Sequence, residues 1–357
     1  MRYHKNVLSY YRQPQKGPKI VVIGGGTGLS TMLRGLKKYT ENLVAIVTVA
    51  DNGGSSGMLR KDLGMLPPGD IRNCILALAD SESIMDPLMK HRFAEGTLAG
   101  HNFGNLFIAA MTEISGNFYD GVRNFSNVLA VVGKVLPVSL RDVNIKAELS
   151  DGRVIVGESS IGEYDLPPGV RIERIKMVPE DAEALQEAID EILAADMVVL
   201  GPGSLYTSII PNLLFPEIVQ AICDTEATVA YVANIMTQPA ETRSYSCADH
   251  VEALLDSCGN PEGFLDYVIA NNELIDESIL ARYEESNAQA VPCDMERMAG
   301  QGYEVIVDKL MLIQDNRVRH DSAALARVIC SIAAEAVERK IASAQTKIFG
   351  AEEHMDL

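Results

Sequence analysis

The chain has 357 residues, 47% of them hydrophobic, which is enough to bury the core of one large α/β domain. No stretch reaches the roughly 18 consecutive apolar residues of a membrane-spanning helix, and residues 1–18 lack the apolar run of a signal peptide. We therefore expect a cytoplasmic protein without membrane insertion. The formal net charge of −18 argues against general binding to nucleic acid, because the phosphate backbone would be repelled.

The first strongly patterned stretch joins a strand to a helix through glycines. Residues 19–23 suit a buried strand, four glycines lie among the next five residues, and residues 29–36 carry a helical apolar stripe. Such a turn can hold an anion against the free N–H groups of a helix N-terminus. We call residues 24–28 the first turn; its predicted phosphate contacts are Gly25, Gly26, Thr27 and Gly28. The alternative is a tight turn without a ligand, because the third glycine of the dinucleotide fingerprint G-x-G-x-x-G is missing.

A second glycine-rich turn, residues 51–57, follows a predicted strand over residues 43–50. Asp51 ends that strand, where an acidic side chain commonly accepts from ribose hydroxyls, so it is a candidate ligand or metal contact. Alternatively, Asp51 only caps its own loop. We expect the second turn to lie beside the first at the carboxyl edge of the sheet. Its further candidate contacts are Asn52, Gly53, Gly54 and Ser55.

Asp70, Arg72 and Asn73 open a predicted helix after the sequence Pro-Pro-Gly. Asp70 stands where an N-cap is expected, and capping alone would explain it. Arg72 lies in the first helical turn, where its charge opposes the helix dipole and a nearby anionic ligand would relieve the conflict. All three are candidate ligand contacts; for Arg72 and Asn73 the alternative is simple surface exposure.

Residues 81–132 have a helical pattern that is interrupted at residues 100–105. His101 lies there between glycines and polar neighbours, which suits an acid–base or substrate contact. Asn105 is a candidate ligand contact beside it. The alternative is a turn whose side chains cap the helix beginning near Asn105.

An alternating pattern replaces the helical one beyond residue 137. Residues 144–149 and 153–156 flank a Ser-Asp-Gly hairpin signal, and residues 171–177 alternate as a third strand. These patterns predict a small antiparallel β-lobe, residues 137–178, inserted in a parallel framework. Its expected role is structural or oligomeric.

The α/β pattern resumes with a helix near residues 180–194 and a strand at residues 197–200. That strand runs into a third turn, residues 201–204, where Gly201, Gly203 and Ser204 are candidate phosphate contacts. A nucleophilic Ser204 would need a positioned base and an oxyanion hole, and neither is visible nearby. Phosphate contact is therefore favoured over covalent catalysis.

Later strands at residues 228–232 and 267–270 each lead into amide side chains, which suit recognition of a base or sugar. The candidates are Asn234 and Asn271. After a strand at residues 304–307, a final helix over about residues 321–345 could pack on the sheet or pair with another subunit, and we expect a homo-oligomer.

In this order, the motifs resemble the gluconeogenesis factor family (YvcK type) of the CofD-like superfamily. The likeness covers about residues 19–325; its motifs lie at residues 24–28, 51–57, 67–73, 201–204 and 319–321. It implies an α/β, Rossmann-like, mostly parallel sheet flanked by helices, forming a single domain over residues 19–345. Residues 1–18 would be a flexible N-terminal arm, and residues 346–357 a C-terminal tail.

The resemblance also implies a bacterial protein needed for growth and normal cell shape on gluconeogenic carbon sources. It implies binding of a nucleotide-sugar such as UDP-N-acetylglucosamine, with regulators of cell-envelope synthesis as possible protein partners. Tyr283 and Arg319 look like the nucleotide-sugar contacts, since tyrosine offers a ring for stacking and arginine a planar donor fork for pyrophosphate. For Tyr283 the alternative is a helix residue packing on the core. Met58 departs from the arginine of many relatives, so a charge contact is lost or is supplied by Arg60.

Three functional hypotheses follow. The leading one is a non-catalytic nucleotide-sugar sensor. The second is a Mg²⁺-dependent phospholactyl transferase with a nucleotide-activated donor, GDP being the nucleotide released and Asp51 helping to hold the metal. The third, an NAD-dependent oxidoreductase with His101 as the acid, rests only on the incomplete fingerprint, although NAD could still occupy the same groove.

Overall fold

Short runs of apolar residues form parallel strands at the centre of the protein. The computed structural model describes residues 6–80 and 85–353. Its strands are β1 (Ile20–Gly24), β2 (Leu43–Val47), β3 (Lys134–Pro137), β4 (Asn144–Leu149), β5 (Val154–Val156), β6 (Ile172–Val178), β7 (Met197–Leu200), β8 (Thr228–Val232), β9 (Tyr267–Asn271), β10 (Glu304–Asp308), β11 (Met311–Gln314) and β12 (Arg317–His320). Within the described residues, one sheet has seven strands in the order β10-β9-β8-β7-β1-β2-β3, and every pair in it is parallel.

This order confirms the predicted Rossmann-like sheet. From β1 the chain moves outward through β2 to β3, then returns to place β7 on the other side of β1 and continues to β10. The connections that follow β1 and β7 therefore lead to opposite sides of the sheet, at the point where the strand order reverses. Ligands of open α/β sheets bind in the crevice at such a point.

Helices cover both faces of the sheet, which is why all residues of β1, β2, β7 and β8 are buried. The helices are α1 (Val7–Arg12), α2 (Gly26–Leu36), α3 (Gly54–Leu63), α4 (Gly69–Leu78), α5 (Met85–Lys90), α6 (Phe103–Ser115), α7 (Phe118–Val128), α8 (Glu158–Gly162), α9 (Gln186–Leu193), α10 (Ile210–Leu213), α11 (Pro216–Asp224), α12 (Cys247–Ser257), α13 (Glu277–Glu285), α14 (Met295–Met298) and α15 (Ser322–Glu353). A π-helical turn, Leu205–Ile209, precedes α10. Helices α2 and α15 approach closely at Gly35, where a Cβ would lie 2.0 Å from the carbonyl oxygen of Ser322.

The predicted antiparallel lobe is confirmed as a three-stranded sheet in the order β5-β4-β6. Its first hairpin turns at Gly152, whose positive φ of 85° favours glycine. Helix α8 follows β5 and returns the chain toward the carboxyl edge of the large sheet.

Several element predictions need correction. The strand expected over residues 43–50 ends at Val47. The edge strand β3 was not predicted, because it has four residues, begins with an exposed lysine and ends on a proline that an edge position tolerates. The hairpin of β11 and β12 was also missed. In the region expected to be helical, residues 81–84 lie outside the described residues and an irregular stretch separates α5 from α6.

The two ends of the chain contact each other. Within the segment expected to be a flexible arm, α1 buries Val7, and the Asn6 amide donates to the Glu338 carboxylate of α15 at 3.0 Å.

Among the described residues, no single helix has the length and apolar character to cross a membrane. The stretch Leu205–Leu213 and the helix Pro216–Asp224, bent by 74°, satisfy that test only as a pair.

Candidate functional site

A cleft of about 310 Å³ opens at the switch point between β1 and β7. The first turn forms one wall, and the third turn forms the adjacent wall. Nine of the predicted contacts line it: Gly25, Gly26, Thr27, Gly28, Gly203, Ser204, Asn234, Tyr283 and Arg319. Residues from five separate parts of the sequence therefore meet at one cavity.

The first and third turns pack backbone against backbone. A Cβ on Gly28 would lie 2.5 Å from the carbonyl oxygen of Pro202 and 3.3 Å from the nitrogen of Gly203. Because backbone atoms stand on the other side, no side-chain rearrangement could make room for it. This close approach explains the glycine at position 28.

Helix α2 begins at the first turn, so its first N–H groups have no intrahelical acceptor. Gly26 donates its N–H to the carboxylate of Asp70. The amides of Thr27 and Gly28 have no acceptor among the described residues. These two amides are therefore the ones available to a phosphate, with the helix dipole behind them.

The hairpin of β11 and β12 contributes Val318, Arg319 and His320 to the lining of the cleft. The Tyr283 hydroxyl accepts the N–H of Val318 at 2.8 Å, which fixes the ring beside this hairpin. Tyr283 and Val318 pack in a small apolar cluster with Ile235 and Ile279, separate from the main core. Within the described part of the chain, the Arg319 guanidinium has no hydrogen-bond or ion-pair partner, and it faces the cleft.

Ser204 has an amide as its neighbour, not a base. The Gln238 side-chain nitrogen donates to the Ser204 hydroxyl oxygen at 2.7 Å. An amide cannot accept the proton of a nucleophilic hydroxyl, so this environment favours binding over covalent catalysis.

Other cleft residues were not singled out from the sequence. Ser208 lies in the π-helical turn after the third turn, and its side chain approaches both Gly25 and Gly203. Burial lowers the pKa of His320 to about 4, although a hydrogen bond with the Ala233 backbone opposes the shift. Its imidazole is therefore neutral near pH 7. The signal that could have located its hairpin is the Asp-Asn pair at the turn between β11 and β12.

None of the residues of the second turn lines the cleft. Asp51 accepts the N–H of Gly53 at 2.9 Å, so the loop-capping interaction exists. Asp70 lies in the first turn of α4 and does not cap it; a Cβ on Gly25 would lie 2.7 Å from its carboxylate oxygen. Burial and the charge of Asp51 together raise the pKa of Asp70 to about 6. The two carboxylates thus repel each other near the first turn.

Arg72 is held by side chains of its own neighbourhood. Its guanidinium donates to the side-chain oxygen of Asn105 at 2.6 Å and to the side-chain oxygen of Asn73 at 2.9 Å. The Arg72 Nε has no partner in the described residues. Burial lowers the pKa of Arg72, and the charge of Arg92 adds to this effect. The three predicted residues therefore form one preorganised cationic cluster beside Asp70.

Asn52 and Ser55 hold the second turn in place. Asn52 accepts from both the N–H and the hydroxyl of Ser159, at 2.9 and 2.8 Å, which attaches α8 of the lobe to this turn. Ser55 accepts the N–H of Asn102 at 3.0 Å. Helix α3 begins at Gly54, whose φ of 46° favours glycine.

His101 lies beside the second turn, away from the cleft. Asn102 is the N-cap of α6 and accepts the N–H of Asn105, so His101 does not cap this helix. The Nδ1 of His101 is buried and unpartnered among the described residues. Nearby, Arg60 pairs with Asp142 at 2.6 Å and donates to the lobe backbone, so it does not replace the charge missing at Met58.

Gly201 and Asn271 lie outside the cleft. Gly201 has a φ of 76° and directs the backbone from β7 into the third turn. Asn271 accepts the N–H of Leu310 at 3.0 Å and lines a neighbouring cavity of about 370 Å³. Asn234 borders both cavities.

The residues around the first and second turns could supply only part of the coordination shell of a magnesium ion. Across residues 6–80 and 85–353, no three His, Cys, Asp or Glu side chains are arranged to hold a metal ion. Mg²⁺ commonly uses one or two carboxylates and completes its shell with water and substrate phosphates. Asp51 and Asp70 fit that partial role. Burial raises the pKa of Glu158 in α8 to about 8, and the charges of Asp51 and Asp70 contribute to this rise.

Comparison with known proteins identifies relatives of this chain. Residues 20–311 match the profile of the family described as 2-phospho-L-lactate transferase CofD. A Thermoanaerobacterium thermosulfurigenes protein is 54% identical over 317 residues, covering 88% of this chain and 97% of the relative. The Bacillus subtilis gluconeogenesis factor is 47% identical, covering 89% and 99%. The chain belongs to the CofD family, among its gluconeogenesis factors.

The fold of this CofD-family chain is also that of a solved relative. A crystal structure of a Bacillus halodurans protein superposes with a TM-score of 0.83 at 43% sequence identity, covering 88% of this chain and 99% of that one. The resemblance inferred from the glycine-rich motifs is thereby confirmed.

Proposed function

We propose that this protein is a nucleotide-sugar-binding regulator that supports growth and cell shape on gluconeogenic carbon sources, acting in the cytoplasm. The observation that carries the proposal is the presence, in one cleft, of two free helix-start amides and an unpaired arginine. Thr27 and Gly28 contribute N–H groups to the cleft, and Arg319 contributes a guanidinium. A pyrophosphate suits this set of donors, because its negative charge and several oxygens can accept from both the amides and the guanidinium.

The remaining walls suit the two ends of a nucleotide-sugar. The Tyr283 ring and Met236 offer an apolar surface for a base, and Asn234 and Gln238 offer groups that both donate and accept hydrogen bonds. A UDP-N-acetylhexosamine has a flat base, a pyrophosphate and an amide-bearing sugar. The relatives named gluconeogenesis factors support the physiological part of the proposal.

Calorimetric titration with UDP-N-acetylglucosamine tests the proposal. We expect binding that weakens at least about tenfold in Arg319→Ala, because a charge-assisted bidentate contact is lost. Arg317→Ala is the matched control, since it removes the same charge two residues earlier on β12, where the side chain is exposed and does not line the cleft. Absence of binding at millimolar ligand, or equal losses in both variants, would contradict the proposal.

A second candidate function is a Mg²⁺-dependent phospholactyl transfer from a nucleotide-activated donor. The specific observation in its favour is the Asp51 and Asp70 pair beneath the first turn, together with the family match. A bound Mg²⁺ would supply charge neutralisation at the phosphates. Asp51 and Asp70 would hold it, and the Arg72 cluster would offset the charge nearby. Nucleotide release from a nucleotidyl-phospholactate, abolished in Asp51→Asn, would support this function; no release by the wild-type protein would exclude it.

A further inference from the structure

Two cysteines face each other where α12 begins. Cys247 is the first residue of α12, and its N–H donates to the carbonyl oxygen of Pro292 at 2.8 Å. The neighbouring Ser246 hydroxyl donates to the Asp294 carboxylate at 2.7 Å. These contacts on either side of Cys293 hold the two backbone segments together, so the cysteines stand opposite each other.

Both thiols line the cavity of about 370 Å³ that adjoins the cleft. Cys247 is buried, whereas Cys293 is partly exposed. The Cys293 thiol donates to the Met295 sulfur at 3.7 Å, and its interaction with the neighbouring Cys247 thiol raises the pKa of Cys247 and lowers that of Cys293 to about 7. Burial raises the pKa of the other four cysteines: Cys74, Cys223, Cys258 and Cys330. Cys293 is therefore the thiol with the largest thiolate fraction near neutral pH.

We propose that Cys247 and Cys293 form an oxidisable dithiol that hydrogen peroxide converts to a disulfide. The Cys293 thiolate attacks one peroxide oxygen, which breaks the O–O bond and yields a sulfenic acid and hydroxide. The Cys247 sulfur then attacks the Cys293 sulfur, forming the S–S bond as the sulfenic oxygen leaves as water after taking up the thiol proton. Two electrons pass from the sulfurs to the peroxide. An accessible thiolate beside a buried resolving thiol is the arrangement of redox-sensing cysteines.

Backbone hydrogen bonds connect the segment before Cys293 to the lining of the cleft. Before Cys293, the chain pairs with the cleft wall: Val291 donates its N–H to Ile235 at 2.9 Å, and Thr237 donates its N–H to Gln289 at 2.8 Å. Ile235 and Thr237 line the cleft. A disulfide would therefore tie α12 to the segment that positions this wall, so we infer that oxidation changes ligand affinity. This consequence rests on the proposed function, whereas the dithiol itself does not.

Thiol counting and peptide mapping test the dithiol. The full chain is treated with peroxide, quenched, denatured and titrated with a thiol reagent. The reactive thiols are expected to fall from six to four, with one cross-linked peptide pair containing residues 247 and 293. Cys293→Ser should keep five, because it lacks the thiolate that reacts with peroxide. Cys247→Ser should fall from five to four without a cross-link, because the Cys293 sulfenic acid then has no second thiol to resolve it. Cys223→Ser, which removes an exposed thiol elsewhere, is the matched control and should fall from five to three.

Each outcome has a separate meaning. A cross-link that involves other cysteines, or oxidation of Cys293 to sulfinic acid without a cross-link, would overturn the dithiol. If the cross-link forms, oxidised and reduced protein are titrated with UDP-N-acetylglucosamine, and a change of about fivefold or more in Kd is expected. Equal affinities would overturn the coupling alone. Failure of the reduced protein to bind would count against the proposed function and leave the dithiol supported by its cross-link.

Discussion

The ionisation of Asp70 provides a quantitative test of the site. Its carboxylate accepts the Gly26 N–H and lies behind the first turn, where burial and the charge of Asp51 raise its pKa to about 6 from 3.8. Between these two values the folded protein retains a proton that the unfolded chain has released. The free energy of unfolding therefore falls as the pH rises through this window, and the full penalty is present above about pH 6.

Replacing Asp70 by asparagine removes the ionisation but keeps an oxygen that can accept the Gly26 N–H. A rise from 3.8 to about 6 corresponds to a penalty of about 3 kcal/mol for the ionised carboxylate. We expect Asp70→Asn to be more stable than the wild type by up to about 3 kcal/mol near pH 8. At about pH 5 the same calculation leaves roughly half of that gain.

Urea unfolding followed by circular dichroism at both pH values, in buffer with chelator, measures the difference. Asp62→Asn, at an exposed position of α3, is the control and should change stability little at either pH. Lower stability of Asp70→Asn at about pH 8 would refute the reasoning. An equal gain at both pH values would also refute it, because the effect would then not come from ionisation.

Two further substitutions test the walls of the cleft. Gly28→Ala places a Cβ 2.5 Å from the Pro202 carbonyl oxygen and should lower the free energy of unfolding, measured in urea, by about 1–3 kcal/mol. Gly162→Ala is the control and should be nearly neutral, because a Cβ there meets no atom within 4 Å. Tyr283→Phe removes the acceptor of the Val318 N–H and should speed hydrogen exchange at that amide and weaken nucleotide-sugar binding by about fivefold, a loss of about 1 kcal/mol. Unchanged exchange at Val318 would mean that the hydroxyl does not hold the hairpin.

The sequence revealed most of the sheet because its strands are buried on both faces. β1, β7 and β8 are nearly continuous apolar runs. The predicted bounds of β7 and β8 match the observed ones, and those of β1 differ by one residue. β3 lacks that signal, because it is short and lies at an edge. The hairpin carrying Arg319 escaped prediction although Asp315 and Asn316, with φ of 50° and 58°, are typical residues for its turn.

The site was harder to predict than the fold. Spacing correctly indicated that three glycine-rich turns lie at the carboxyl edge, since each follows a parallel strand. It could not indicate that the first and third turns line the cleft while the second does not, because this depends on the order β7-β1-β2. Long-range contacts such as Arg72 with Asn105, or Asn52 with Ser159, leave no periodic pattern in the sequence.

A crystal structure of the protein with bound UDP-N-acetylglucosamine would test the central claim most directly. The proposal predicts the pyrophosphate in the cleft, with oxygens within about 3 Å of the Thr27 or Gly28 amide and of the Arg319 guanidinium. Ligand bound elsewhere, with these amides and this guanidinium uncontacted, would contradict it.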